Sequence, residues 1–264
     1  MGKKNRKSVR DRVKASAKNR DRGSTGSKFN FEGVDYYKPT KNSKKLIIVP
    51  YKVSVDDNPD AKKGELWYKK KILVHYGIGA EDQALICPKT VGKRCPICED
   101  RAILVKDGYK KNEEAIKELN TSKREIFNVI DPDDDPKEIL FWEVAYGNFG
   151  ELLDEEIEEA SDDDYILGIA DLEDRPILNV RFKKAKFSGN AYLKISKIDA
   201  RKGKNLPESI LDDVIDLDRC LKILSYDKIN KIYLDMEDDS HSESKKKGKK
   251  KGKKKKNSED DVPF

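Results

Sequence analysis

Glu125-Ile126-Phe127-Asn128-Val129-Ile130, then Asp131-Pro132-Asp133-Asp134-Asp135-Pro136, then Ile139-Leu140-Phe141-Trp142-Glu143-Val144-Ala145-Tyr146, is the stretch on which the fold turns. Its two apolar runs are rich in β-branched and aromatic residues, which suit a pleated, packed surface. The Asp/Pro segment between them breaks any regular element and reads as a turn. Downstream, Ile177 to Lys184 alternates, with Leu178, Val180 and Phe182 on one face and Asn179, Arg181 and Lys183 on the other. Ser188-Gly189-Asn190 is a hairpin-like turn, and Ala191 to Ile198 returns as a strand. Upstream, Trp67 to Tyr76 reads as a strand, and Leu46-Ile47-Ile48-Val49 is a short apolar run ended by Pro50. Helical patterns fall at 97–106, 112–120, 148–160, 207–215, 217–224 and 226–234. No internal repeat is evident. Five or six short strands with helices between them predict a mainly β chain with added helices (α+β), a small barrel with insertions and not a parallel α/β sheet.

Charge divides the 264 residues into three parts. Residues 1–28 carry eleven Lys/Arg against two Asp. Residues 29–235 carry 35 basic and 41 acidic residues, and 236–264 carry ten Lys and seven acids. Charged residues make up 40% of the chain and hydrophobic ones 36%, too little core material for the full length, so both ends are expected to be disordered alone. Val9, Val13 and Ala17 fall at helical spacing in a basic segment that is otherwise a solvated tail. No run of about 18 apolar residues spans a membrane, and the basic start is not followed by the apolar stretch of a secretory signal.

The sharpest local signal is His75, Cys87, Cys95 and Cys98. Cys95-Pro96-Ile97-Cys98 is a knuckle, in which two thiolates reach one ion from one tight turn. Three thiolates and one imidazole form a closed tetrahedral set, which is the structural type of zinc site and leaves no open position for water. One structural Zn2+ would pin residues 75–98 to the barrel, within a zinc subdomain at about 72–122. A redox Cys-x-x-Cys would need a βαβ context, and no such unit is predicted here. Clustered thiols point to a reducing compartment, the cytosol. Cys220 reads as a packed thiol and His241 as a solvated side chain.

These residues in this order resemble the single-stranded-DNA-binding proteins of T-even-type bacteriophages. The resemblance rests on the His/Cys order, on Phe127 to Pro132 with Ile139 to Gly147, and on Val180 to Lys184 with Phe187 to Tyr192. It covers roughly residues 30–235. It implies an OB-fold core at 29–235, an intrinsic zinc, cooperative coating of single strands, and roles in phage replication, recombination and repair in the cytoplasm of the infected host. It also implies a basic N-terminal cooperativity segment, where Lys3, Lys4, Arg6, Lys7 and Ser8 resemble the family's basic–hydroxyl motif. The chain departs from the family at its C-terminus, where residues 245–256 are ten Lys and two Gly. The tip Asp260-Asp261-Val262-Pro263-Phe264 resembles instead the partner-docking tip of bacterial single-strand-binding proteins. Replication and recombination enzymes (a polymerase, a helicase loader or a recombinase) are the implied partners.

Binding a single strand needs cations along the phosphates and aromatic faces for the bases, each stacked base contributing roughly 1–3 kcal/mol. The candidates are Tyr68, Lys69, Lys71, Arg124, Tyr146, Arg181, Lys183, Lys184, Lys186, Phe187, Tyr192 and Lys194. Phe127, Phe141, Trp142 and Phe182 are expected to fill the core instead. The net negative core is compatible with a basic groove because its acids are bunched at 131–138, 151–164 and 208–218. The 151–164 block must face away from the strand or flank it as a negative wall. A zinc-ribbon RNA-binding or transcription accessory protein is the alternative. An enzyme is not expected. No phosphate-binding Gly-rich loop or H-E-x-x-H helix is present, and the only histidine before the tail belongs to the metal set.

Overall fold

The computed structural model describes residues 28–31, 34–40, 45–173, 175–187 and 190–234, with the backbone alone at 187 and 190. The N-terminal motif at Lys3, Lys4, Arg6, Lys7 and Ser8, the lysine run and the tip Asp260 to Phe264 lie outside the described residues.

An antiparallel sheet dominates, with few helices. Its strands are β1 (Lys45–Val49), β4 (Lys70–Ile78), β5 (Gln83–Ile86), β6 (Ser122–Ile130), β7 (Leu140–Ala145), β8 (Pro176–Phe187) and β9 (Asn190–Lys202). Two short strands, β2 (Tyr51–Lys52) and β3 (Leu66–Trp67), pair with each other. The helices are α1 (Pro96–Lys106), α2 (Glu114–Glu118), α3 (Gly150–Glu158) and α4 (226–234).

Strand β6 organises the sheet. It pairs with β7 along one edge; along the other it pairs first with β4 and then with β1. Strand β1 in turn passes from β6 at Ile47–Val49 to β8 at Lys45–Leu46, and β8 forms the long hairpin with β9. Both faces of β6 are covered. Phe127 and Val129 join Trp142, Val144, Leu178, Val180 and Ile195 in one cluster, while Ile126 joins Ile72, Val74 and Phe141 in another. Two-sided burial explains why 125–130 is buried residue after residue, without the alternation of a sheet wet on one side.

Among the described residues, the ladder does not join β9 back to β7, so the expected barrel is not closed by backbone pairing. Asn148, just past β7, reaches across. Its Nδ2 donates to the Leu193 carbonyl at 3.4 Å and its Oδ1 accepts from the Ile195 N–H at 3.3 Å.

Three other sequence expectations are corrected. The strand from Trp67 is broken at Tyr68–Lys69, where burial of the lysine overrides the extended run. Residues 207–215 hold only a 3-10 turn, Glu208–Asp212. Residues 217–224 are not helical. The Asp216 carboxylate accepts from the N–H groups of Asp218 and Arg219 and folds a turn, and Leu221 then bridges to Phe29.

Candidate metal centre and nucleic-acid interface

His75 lies on β4, opposite Leu85 of β5. Cys87 follows β5 directly, its N–H donating to the Leu73 carbonyl at 2.8 Å and so extending the ladder. A 3-10 turn, Pro88–Val91, then reverses the chain and ends at Gly92 with φ of 67°, a left-handed conformation that favours glycine. Thr90 Oγ1 accepts from the Leu73 N–H at 3.0 Å and ties this turn to β4. Cys95 precedes α1, Pro96 takes the first helical position, where its missing N–H costs nothing, and Cys98 sits in the first turn.

The four ligand atoms lie within 4.8 Å of one another. His75 Nε2 is 3.5 Å from Cys95 Sγ and 3.6 Å from Cys98 Sγ, and Cys87 Sγ is 3.6 Å from Cys98 Sγ. A tetrahedral ion with bonds of about 2.3 Å to sulfur and about 2.0 Å to nitrogen spaces its ligands by about 3.5–3.8 Å. The residues present therefore fit one metal ion. Hydrogen bonds from Cys87 and Cys95 hold the Cys98 thiol far below the ordinary range, so the cluster favours a thiolate there. Burial lowers the affinity of His75 for its proton, but hydrogen bonds to Cys95 and Cys98 outweigh it and raise the pKa to about 9. These thiols also belong to an apolar cluster with Ile97, Leu119 and Ile229, against which Leu224, Ile232 and Tyr233 pack, so α4 covers the knuckle. Tyr226 at the start of α4 donates to Glu99 Oε2 at 2.8 Å, and Glu99 also accepts from Arg94.

Two clefts meet at Arg124. One, of about 420 Å³, is lined by Lys71, Lys89, Lys123, Arg124, Tyr146 and Asp154, among others. The other, of about 560 Å³, lies between β7 and the β8–β9 hairpin and is lined by Arg124, Trp142, Asn148, Phe182, Tyr192 and their neighbours. Arg124 Nε and Lys28 Nζ both pair with Glu143 Oε1, each at 2.5 Å. Two cations on one carboxylate leave a positive excess at the junction. Asp154, from the acidic block at 151–164, also lines the first cleft, its carboxylate paired with Lys69 at 2.6 Å.

The expected strand-binding residues divide. Lys71, Arg124, Tyr146 and Tyr192 line the clefts. Arg181, Lys183, Lys184 and Lys186 are exposed and Lys194 is half-buried, all on the hairpin. The Phe187 side chain lies outside what is described. Tyr68 and Lys69 are corrected: they are 6% and 2% exposed. Lys69 Nζ meets Asp154 at 2.6 Å and Glu125 at 2.9 Å, so this lysine serves the core and offers no charge to a ligand. Lys89, which lines the first cleft, was missed. Lys89 lies in the turn between two metal ligands, where no strand pattern marks it.

No protein-family model matches the chain, and no curated protein matches it.

Proposed function

We propose that this protein is a non-catalytic, sequence-independent single-stranded-DNA-binding protein, built on an OB-like core and stiffened by one structural zinc. The observation that carries this reading is the pair of clefts joined at Arg124. Cations (Lys71, Lys89, Lys123, Arg124) and aromatic rings (Tyr146, Tyr192) line the two clefts, which share Arg124. Cations and ring faces together are what a strand of unpaired nucleotides requires. The Asn148 bridge supports the OB-like description, because it links β7 to β9 where a closed barrel would have a ladder. Zinc is favoured by the donor set of three sulfurs and one nitrogen and by the tetrahedral spacing. In keeping with the phage-protein resemblance, the protein coats single strands during replication, recombination and repair in the host cytoplasm. There its N-terminal motif serves self-association, and its tip serves docking of replication enzymes.

Within this chain, Arg124 holds a phosphate at the junction, and Tyr146 and Tyr192 offer ring faces on either side. The metal cluster fixes the β4–β5 wall behind Lys71 and Lys89. The test is a titration of tyrosine and tryptophan fluorescence with oligo-dT at several salt concentrations. Quenching is expected, with log affinity falling by about 0.7 per phosphate contacted for each unit of log salt. Tighter binding to duplex than to unpaired oligomers overturns the proposal, and tighter binding to matched RNA moves it to an RNA-binding protein. Metal analysis should find one zinc per chain, and chelation should lower the melting temperature.

A further inference from the structure

We propose that the outward face of the β8–β9 hairpin is a second contact surface for the same polyanion, carrying the strand onward from the cleft. This rests on the reading of the clefts as a nucleic-acid path.

The hairpin register places Arg181 opposite Lys197 and Lys183 opposite Lys194. Directly opposed side chains lie about 4.5–5.5 Å apart at Cβ, and like charges so placed oppose folding. Lys197 is relieved by Asp199 at 2.6 Å. Arg181, Lys183 and Lys194 make no ion pair among the described residues. Nor can these cations turn inward. Phe182 and Ile195, the intervening pair, point to the core, where Ile195 is fully buried. A one-residue bulge at Ser196, whose hydroxyl donates to the Arg181 carbonyl, keeps the two basic pairs on one face. The fold thus holds a ladder of like charges toward solvent, offset in part by Asp199 at the Arg181–Lys197 end and without an ion pair among the described residues at Lys183–Lys194, with a repeat of about 7 Å between pairs two residues apart.

Tyr192 identifies the occupant. It faces Ala185 in the register, on the same side as Lys183 and Lys194, and it is 40% exposed. The same ring lines the 560 Å³ cleft, so it stands at the corner between cleft and outer face. An acidic peptide would use the charges but leave the ring unstacked. A single nucleic-acid strand uses both. Lys184 and Lys186 lie on the opposite parity, with Phe182, and so are not part of this face.

The experiment compares the full chain with the triple variant Arg181→Gln/Lys183→Gln/Lys194→Gln and with Tyr146→Ala, on oligo-dT of about 4 and about 16 nucleotides, the range covered by OB-type sites. The triple variant should bind the short oligomer like the unaltered protein and the long one more weakly. Its salt slope on the long oligomer should be shallower by about 2, from three lost phosphate contacts. Tyr146→Ala should weaken both lengths. Unchanged affinity and slope of the triple variant on the long oligomer overturn the outer-face surface while the cleft stands. Failure of the unaltered protein to bind either length overturns the functional reading itself. If the triple variant keeps strand binding but loses affinity for polyglutamate, the face belongs to an acidic protein and the inference falls. A melting temperature at or above that of the unaltered protein is expected for the triple variant, since the opposed charges are removed.

Discussion

Trp67-Tyr68-Lys69-Lys70-Lys71 and the β8–β9 hairpin look alike in sequence: aromatic residues interleaved with cations on an extended run. In the folded chain they do opposite things. At the first, Lys69 and Lys70 are buried and each meets carboxylates, Glu125 and Asp154 for one and Asp218 for the other. At the second, Arg181 and Lys183 are exposed and Lys194 is half-buried, and none of the three makes an ion pair among the described residues. The lesson is that a basic–aromatic pattern does not by itself tell a core ion pair from a ligand surface. Burial and distant carboxylates decide, for Lys69 and Lys70 are enclosed with their acids while Lys71 and Arg124, also paired to acids, still line a cleft. Asp218 lies 148 residues from Lys70 and Asp154 lies 85 from Lys69, separations that no local pattern reveals.

The largest effect should come from removing the buried counter-charge. The Asp218 side chain is fully buried and accepts from Lys70 Nζ, the Tyr51 hydroxyl, Asn58 Nδ2 and the Ser54 N–H. Asp218→Ala strands the Lys70 ammonium and should cost about 3–5 kcal/mol in a denaturant titration. A loss under about 1 kcal/mol, the scale of an exposed pair, would show that the first region's lysines are free in the way the hairpin's are.

Next comes Gly150, at the start of α3. A Cβ there would overlap Glu125 Oε2, so the buried carboxylate leaves no room for a side chain. Gly150→Ala should destabilise by about 1–3 kcal/mol through overpacking. A neutral result would mean that Glu125 moves freely, and with it the ion pair to Lys69.

A smaller effect is expected in pH dependence. Lys69 carries one charge for two carboxylates. Glu125, 1% exposed, is the one that burial pushes above the usual carboxylate range, although the Lys69 charge pulls the other way. The native state then holds a proton that the unfolded chain has released, so this group's contribution to stability falls as pH rises above the unfolded value of about 4.3. Denaturant titrations of Glu125→Gln and the unaltered protein across that window should show the variant gaining on the unaltered protein as pH rises. A difference constant with pH contradicts this account.

The smallest is on the hairpin itself. Lys183→Glu turns the opposition with Lys194 into attraction and should stabilise by about 0.2–1 kcal/mol. The same change should weaken long-strand binding. Stability and binding moving in opposite directions would be the signature of charges kept for a ligand, and it is the reverse of what Asp218→Ala should show.

Much of this molecule was legible along the chain. The strands around Asp131–Pro136 and the β8–β9 hairpin were expected within a few residues, because alternation and turn chemistry are local properties. The metal set was legible too. Its ligand types restrict the chemistry, and Cys95 and Cys98 fall in one turn that needs no distant partner. Strands β2 and β5 were missed, being only two and four residues long. The expected helix at 217–224 failed because Asp216 and the pairing of Leu221 with Phe29 outweigh helical spacing.

Composition and order alone determined an antiparallel, metal-ready domain flanked by lysine-rich ends, since side-chain periodicity and ligand chemistry act over a few residues. Only the tertiary structure decided which cations are spoken for, which rings line a cleft, and that Arg124 joins two clefts. Those outcomes depend on Coulomb and packing terms between residues far apart in the chain, and such terms have no value until the fold brings the partners together.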